Sequence, residues 1–301
     1  MTCSRELPAC DPEPALCGRS ICSQDMTLFA PMYASFLVAS GRLRPRRPSL
    51  GDVVKHLKII AHRGASDVAP ENTLASVELA WRLGADAVEV DVRLTRDGRI
   101  VVIHDETTDR TAGRHLEVAA ADSSQLRRLD VGRHKHPRFA GERIPYLEEV
   151  LQTVPPGRQL FIEIKCGPEI LSPLVQTVTR SGKRSQVVII GFDLQTMREA
   201  KTALPDVPTH WLCDKRVLQS YEGSIVAKAK TNGLDGLDLH WSGLTRRFIR
   251  AVKAAGLQLY VWTVDNPAQA LRLTALGADG ITTNRPGRLR YRMEPPEACP
   301  P

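Results

Sequence analysis

The chain is predicted to be an α/β protein, a parallel TIM (β/α)8 barrel with a small insertion after the second strand. Three observations predict it. From Lys58 onward, short apolar runs alternate with helix-like segments, and such alternation implies a parallel sheet covered by helices. Eight runs suffice to close that sheet on itself. Gly84, Gly256 and Gly277 stand just past three of the helical segments, where helix ends favour glycine.

The first run, Lys58–Arg63, is apolar through Ala61 and ends in His62-Arg63-Gly64. A helix is expected over Thr73–Leu83. The second run, Ala87–Thr95, alternates strictly: Val88, Val90 and Val92 take one face, Glu89 and Asp91 the other. Asp97-Gly98 is a tight-turn dipeptide. Val101–His104 is therefore expected to fold back beside the second strand as an arm, returning His104 toward the barrel mouth. Residues 106–146 lack a strand–helix rhythm, apart from a short helix at Asp122–Leu129, and are expected to cap the mouth. Leu147–Val154 is the next barrel helix. The rhythm then resumes with strands Gln159–Lys165, Gln186–Phe192, Thr209–Cys213, Gly236–Trp241, Gln258–Val264 and Gly280–Asn284. Helices Glu169–Arg180, Gln195–Ala203, Leu218–Thr231, Thr245–Ala255 and Pro267–Leu276 lie between them.

The barrel is thus expected over residues 57–290, with 291–301 as a tail. Residues 1–56 mix Cys, Pro and charged residues without an apolar period, the mark of a disordered extension or a targeting segment. Met26–Ser40 is apolar, but Pro31 breaks it and it falls short of the roughly 17–25 residues of a membrane helix. Stable membrane insertion is not expected. The seven cysteines have no regular spacing. That argues against a disulfide framework and for a reducing compartment, the cytoplasm unless residues 26–50 serve as a leader. The net charge of +7 forms no basic stripe with interleaved aromatics inside the folded region, so nucleic acid is not the expected partner.

Glu89 and Asp91 are the sharpest chemical signal. Two residues apart on a strand, they share a face. Side by side they repel unless a cation lies between them, and oxygen-only ligands favour Mg2+ or Ca2+. Taken alone, the pair also fits a solvent-facing strand.

In order and spacing, H-R-G at His62–Gly64, P-E-N-T at Pro70–Thr73, E-V-D at Glu89–Asp91 and H-D at His104–Asp105 resemble the glycerophosphodiester phosphodiesterase family. That family is similar to the wider phospholipase-C-like phosphodiesterases on TIM barrels. F-I-E-I-K at Phe161–Lys165, V-W-T-V at Val261–Val264 and T-N-R-P at Thr283–Pro286 extend the resemblance. Gly191, where the family commonly has serine, and the order Asp265-Asn266 depart from its pattern.

The resemblance implies metal-dependent hydrolysis of a small-molecule glycerophosphodiester to glycerol 3-phosphate and an alcohol. Glu89, Asp91 and Glu163 would hold the metal, and His62 and His104 would exchange protons. Arg63 and Lys165 would meet the phosphate. Asn72 would ligate the metal or position a substrate oxygen, Gly64 would let the backbone approach the ligand, and Trp262 would wall the pocket. Plainer readings stand beside these: Glu163 and Lys165 also fit a simple ion pair, and Trp262 a core residue. A lysophospholipase D or sphingomyelinase D-like activity is an alternative, and so is a non-catalytic phosphodiester-binding barrel. The latter would lack an acid, a base or a metal ligand, and none is missing. The head group and the oligomeric state are not legible.

Overall fold

Strand β1 (Lys58–His62) pairs in parallel with both β2 (Ala87–Leu94) and β9 (Gly280–Thr283), and this double pairing closes the sheet. The structure, a computed structural model, describes residues 57–214, 221 and 223–293. The expectations for residues 1–56 and for most of the tail lie outside the described residues.

The other staves are β4 (Gln159–Ile164), β5 (Val187–Gly191), β6 (Thr209–Cys213), β7 (Gly236–His240) and β8 (Gln258–Trp262). All neighbours round the ring are parallel. A helix follows each stave: α1 (Leu74–Arg82), α2 (Leu147–Thr153), α3 (Leu171–Arg180), α4 (Leu194–Ala203), α5 (Gly223–Thr231), α6 (Arg246–Ala254), α7 (Pro267–Leu276) and α8 (Pro286–Met293). The fold is the expected (β/α)8 barrel. Among the described residues, no helix is long and apolar enough to cross a membrane.

Most strands stop one or two residues before their expected ends, because the chain turns into the mouth loops there. Arg63 has φ 56°, so β1 ends at His62. Helix α8 was not expected. Its sequence is rich in arginine, and only Pro286, Leu289 and Met293 are buried. The proposed tail at 291 therefore begins inside a helix. Helix α3 starts at Leu171 rather than Glu169, since Pro168 opens a single 3-10 turn ahead of it. The expected start of α5 at Leu218 falls outside the described residues.

Strand β3 (Ile100–Val102) is the expected arm. It lies antiparallel to β2, with Val92 opposite Val102, and Gly98 turns the chain at φ 74°. The arm and the insertion share an apolar core of Val101, Ile103, Val118, Leu126, Leu129 and Ile144. Two short helices, Asp109–Ala112 and Ser123–Leu126, and a 3-10 turn at Pro137–Phe139 complete it. It is tied to the loop after β1: Lys135 Nζ donates to the carbonyl of Ser66 at 2.7 Å, and Arg138 Nη2 to that of Val68 at 3.1 Å.

The barrel interior is plugged below the mouth by aromatic rings. Tyr260 stacks on His210 at 5.1 Å and meets the edge of Phe161 at 5.1 Å. Gly280 makes room for them, since a Cβ there would lie 2.5 Å from Tyr260 Cδ1.

Candidate active site

Above that plug, at the carboxyl ends of the strands, a cavity of about 340 Å³ opens. His62, Arg63, Glu89, His104, Glu163, Lys165 and Trp262 all line it. In barrels of this kind the mouth loops carry the chemistry.

The three expected metal ligands come together. Glu89, Asp91 and Glu163 are buried and offer oxygens within 4.8 Å of one another. Glu89 Oε2 accepts the Arg63 backbone N–H at 2.9 Å, while Glu89 Oε1 and Asp91 Oδ1 have no hydrogen-bond partner among the described residues. Burial, then repulsion by Asp91 and Glu163, pushes the Glu89 carboxyl well above its usual range. Burial, then Asp91, raises Glu163 to about 7. Three crowded carboxylates with two orphaned oxygens fit a hard divalent cation, which would satisfy those oxygens and cancel the repulsion.

Two basic side chains already flank the cluster. Arg63 Nη1 donates to Glu71 Oε1 at 2.9 Å. Its Nε lies 3.1 Å from Asp91 Oδ2, close enough for charge pairing but without the alignment of a hydrogen bond. Lys165 Nζ is 2.7 Å from Glu163 Oε1 and 3.8 Å from Asp91 Oδ1. The simple Glu163–Lys165 pair thus exists, but on the cavity wall.

Asn72 sits one layer back from its expected place. It is buried at φ 58°, and its amide spends both ends on Asp91. Nδ2 donates to Asp91 Oδ2 at 2.8 Å, and Oδ1 accepts the Asp91 backbone N–H at 3.2 Å. A side chain so engaged orients the carboxylate and does not face the cavity. Gly64 also differs from expectation. It turns at φ 80° against α1, and a Cβ there would lie 2.4 Å from Ser76 Oγ.

The two histidines are oriented by residues that sequence reasoning left without a role. His62 Nδ1 meets Asn284 Oδ1 at 2.7 Å. Asn284 Nδ2 donates to Asp265 Oδ2 at 2.9 Å, and its backbone N–H to Asp265 Oδ1 at 2.8 Å. With the amide nitrogen committed to Asp265, the oxygen faces His62, so His62 Nδ1 carries the proton and Nε2 is left for a ligand. The order Asp265-Asn266 has a local reason: Asp265 holds Asn284, while Asn266 caps α7 through the N–H of Ala268 at 2.9 Å. His104 Nδ1 meets Asp105 Oδ1 at 2.7 Å, which again leaves Nε2. Burial, then the charge of Arg63, lowers the His62 pKa. Burial lowers that of His104 as well, against the pull of Asp91 and Asp105.

Arg110, from the insertion, joins these parts. Its Nε donates to Asp105 Oδ2 at 2.6 Å, and Nη1 and Nη2 grip Glu71 at 2.7 and 2.8 Å. Burial opposes ionisation of Glu71, but Arg110 and Arg63 hold it down at about 2. Asn284, Glu71 and Asp105 lie within the quoted T-N-R-P, P-E-N-T and H-D motifs. That was the only signal for them.

The far side of the cavity is mixed. Trp262 is partly buried on the cavity wall, with Phe192 edge-on at 5.7 Å and the Trp262 Nε1 donating to the Asp238 carbonyl at 3.1 Å. Asp238 was not foreseen. It alternates inward between the buried, apolar Leu237 and Leu239.

Comparison with known proteins places these residues in a family context. The model of the glycerophosphoryl diester phosphodiesterase family matches residues 62–288. A glycerophosphodiester phosphodiesterase of Caldanaerobacter subterraneus is 34% identical over 238 residues, covering 77% of this chain and 95% of that protein. Among solved structures, an Oleispira antarctica phosphodiesterase in complex with the product sn-glycerol-3-phosphate aligns with TM-score 0.74 and 26% identity, covering 80% of this chain and 99% of the other. A Thermotoga maritima glycerophosphodiester phosphodiesterase aligns with TM-score 0.67 and 26% identity, covering 79% and 98%.

Proposed function

The chain belongs to the glycerophosphoryl diester phosphodiesterase family, and from this premise we propose that it hydrolyses glycerophosphodiesters to glycerol 3-phosphate and an alcohol. One observation carries the reading: two histidines, each with Nδ1 engaged, line one cavity beside a buried three-carboxylate cluster.

Glu89, Asp91 and Glu163 would hold Mg2+ or Ca2+, which when bound supplies positive charge against the phosphoryl oxygens. Arg63 and Lys165 add charge on the same side of the cavity and fix the phosphate. Asn72 keeps Asp91 in register with its two fellow ligands.

The glycerol hydroxyl next to the phosphate-bearing carbon is already held close to phosphorus, so its attack needs little entropy. His62 Nε2 accepts its proton. As the new P–O bond forms, the bond to the alcohol breaks, and His104 gives that alcohol the proton on its Nε2. The product of this step is a cyclic phosphate. Water opens it with the roles exchanged: His104 takes a proton from water, and His62 returns one to the glycerol oxygen. Asp105 favours the imidazolium of His104, whereas His62 rests on a neutral amide. This difference supports His104 as the first acid and His62 as the first base.

The test is release of glycerol 3-phosphate from glycerophosphocholine, glycerophosphoethanolamine and glycerophosphoinositol, with and without added divalent cation. Hydrolysis that needs the cation supports the reading. Full activity after exhaustive chelation removes the metal from it, and inactivity on all three diesters removes the function.

A further inference from the structure

Asp238 is a carboxyl group on the cavity wall that neither the proton transfers nor the proposed metal site uses. It is 1% exposed, and its Oδ1 has no partner among the described residues. A buried carboxyl oxygen left unpaired is costly unless a ligand completes it.

Its place in the ring suggests which ligand group. Following the strand order, β7 lies four staves from β2 in either direction, so Asp238 faces the cavity from the side opposite Glu89 and Asp91. Arg63 and Lys165 stand with those carboxylates, so the phosphate is held on the β1–β2–β4 side. Asp238 then meets what projects from the phosphate toward β7. The floor beneath Asp238 is closed, because Tyr260, its neighbour in register on β8, stacks on His210 and both rings are buried. Leu212, beside Asp238 in register, is buried and apolar. A closed end of fixed size suits the part common to every substrate. The alcohol differs between substrates and leaves through the open side, where His104 sits at the end of the arm.

We infer that Asp238 binds the free terminal hydroxyl of the glycerol and so confines the enzyme to glycerophosphodiesters without an acyl chain. The inference rests on the phosphodiesterase reading above. It identifies the group recognised: a primary hydroxyl, which an ester would replace with an oxygen that has no proton and a chain that the plugged barrel cannot admit. Sites built to hydrogen-bond a substrate hydroxyl reject analogues lacking it far more strongly than apolar pockets reject a missing methylene.

The experiment compares glycerophosphocholine with 2-hydroxypropyl phosphocholine, which lacks only the terminal hydroxyl and keeps the attacking one. Wild type is expected to prefer the former by about tenfold or more in kcat/KM. In Asp238→Ala that preference collapses: glycerophosphocholine loses about tenfold or more, and the deoxy analogue changes by less than about threefold. Equal losses on both substrates, or a preference that survives the substitution, overturn the assignment. If wild type cleaves neither, the phosphodiesterase reading fails first and the subsite falls with it. Should Asp238→Ala not fold, wild type alone decides through inhibition: glycerol 3-phosphate should bind about tenfold or more tighter than 2-hydroxypropyl phosphate, and equal inhibition constants refute the subsite.

Discussion

His62 and Asn284 stand 222 residues apart in sequence and meet at 2.7 Å, ring Nδ1 to amide Oδ1. Strand β9 ends one residue before Asn284, beside β1, which ends at His62 itself. The closure of the barrel therefore sets the tautomer of the histidine. Asp265 fixes which end of the amide faces it.

Asn284→Ala should release that tautomer and lower kcat about tenfold or more, with a smaller effect on KM. Asn284→Asp should instead raise the His62 pKa, because a carboxylate stabilises the imidazolium. A base must be neutral to work, so the acidic limb of the kcat/KM profile moves to higher pH. A profile that stays where wild type has it would separate Asn284 from the histidine.

His62→Ala and His104→Ala should each cost about 10²-fold or more in turnover. A nitrophenyl leaving group needs no proton, so it should rescue His104→Ala alone. Rescue of His62→Ala instead reverses the assignment of base and acid, and rescue of neither means the pair does not act as described.

Glu89→Gln, Asp91→Asn and Glu163→Gln should weaken Mg2+ or Ca2+ binding by calorimetry and remove most turnover. The cation-free protein should also reveal the cluster in its melting. Glu163 is raised by burial and Asp91 to about 7 from an ordinary 4.5. The folded state then binds more protons than the unfolded one between those values. This contribution to stability is fully present below the unfolded pKa and is lost as pH rises through the folded pKa. The melting temperature in chelator should fall from about pH 5 to pH 7 through this group, and saturating cation should flatten the slope. An identical slope with and without cation would show that the carboxylates do not hold it.

Arg110→Lys should lower kcat about tenfold while the protein still melts cooperatively, because a lysine cannot bridge Glu71 and Asp105 at once. The readout that distinguishes positioning from plain stability is the pH profile. Loosening Asp105 removes a group that favours protonated His104, so the basic limb should move to lower pH. An unmoved limb would confine Arg110 to holding the insertion in place. Residues 106–146 thus do more than cap the mouth, since the segment also supplies Arg110. Shortening it should spare Arg110 before its effect on head-group preference is read.

Much of this site was legible where a local period carries it. Strict alternation in Ala87–Leu94 placed Glu89 and Asp91 on one face, and Glu163 and Lys165 share a face for the same reason. What escaped was set by closure and by side-chain reach. Asn72 belongs to a quoted motif, but its hydrogen bonds to Asp91 depend on a left-handed φ that sequence does not announce. Asn284 and Arg110 act across the barrel seam and the insertion, where no spacing rule applies. Asp238 alternates into the interior as a core residue would, and only its unpaired oxygen sets it apart. Helix α8 lacks a wide apolar stripe, because Leu289 and Met293 suffice to seat it.

Lys165 is shared. Its ammonium lies 2.7 Å from Glu163 and 3.8 Å from Asp91, and it also lines the cavity where a phosphate would bind. A divalent ion on those carboxylates would compete for the oxygens that hold the lysine and so free its charge for the phosphate. A phosphate that draws the lysine away leaves the carboxylates more negative and tightens the ion. Each ligand would thus improve the site for the other, and thermodynamic linkage would require the two gains to be equal. Lys165 would then be the side chain through which metal and substrate are coupled.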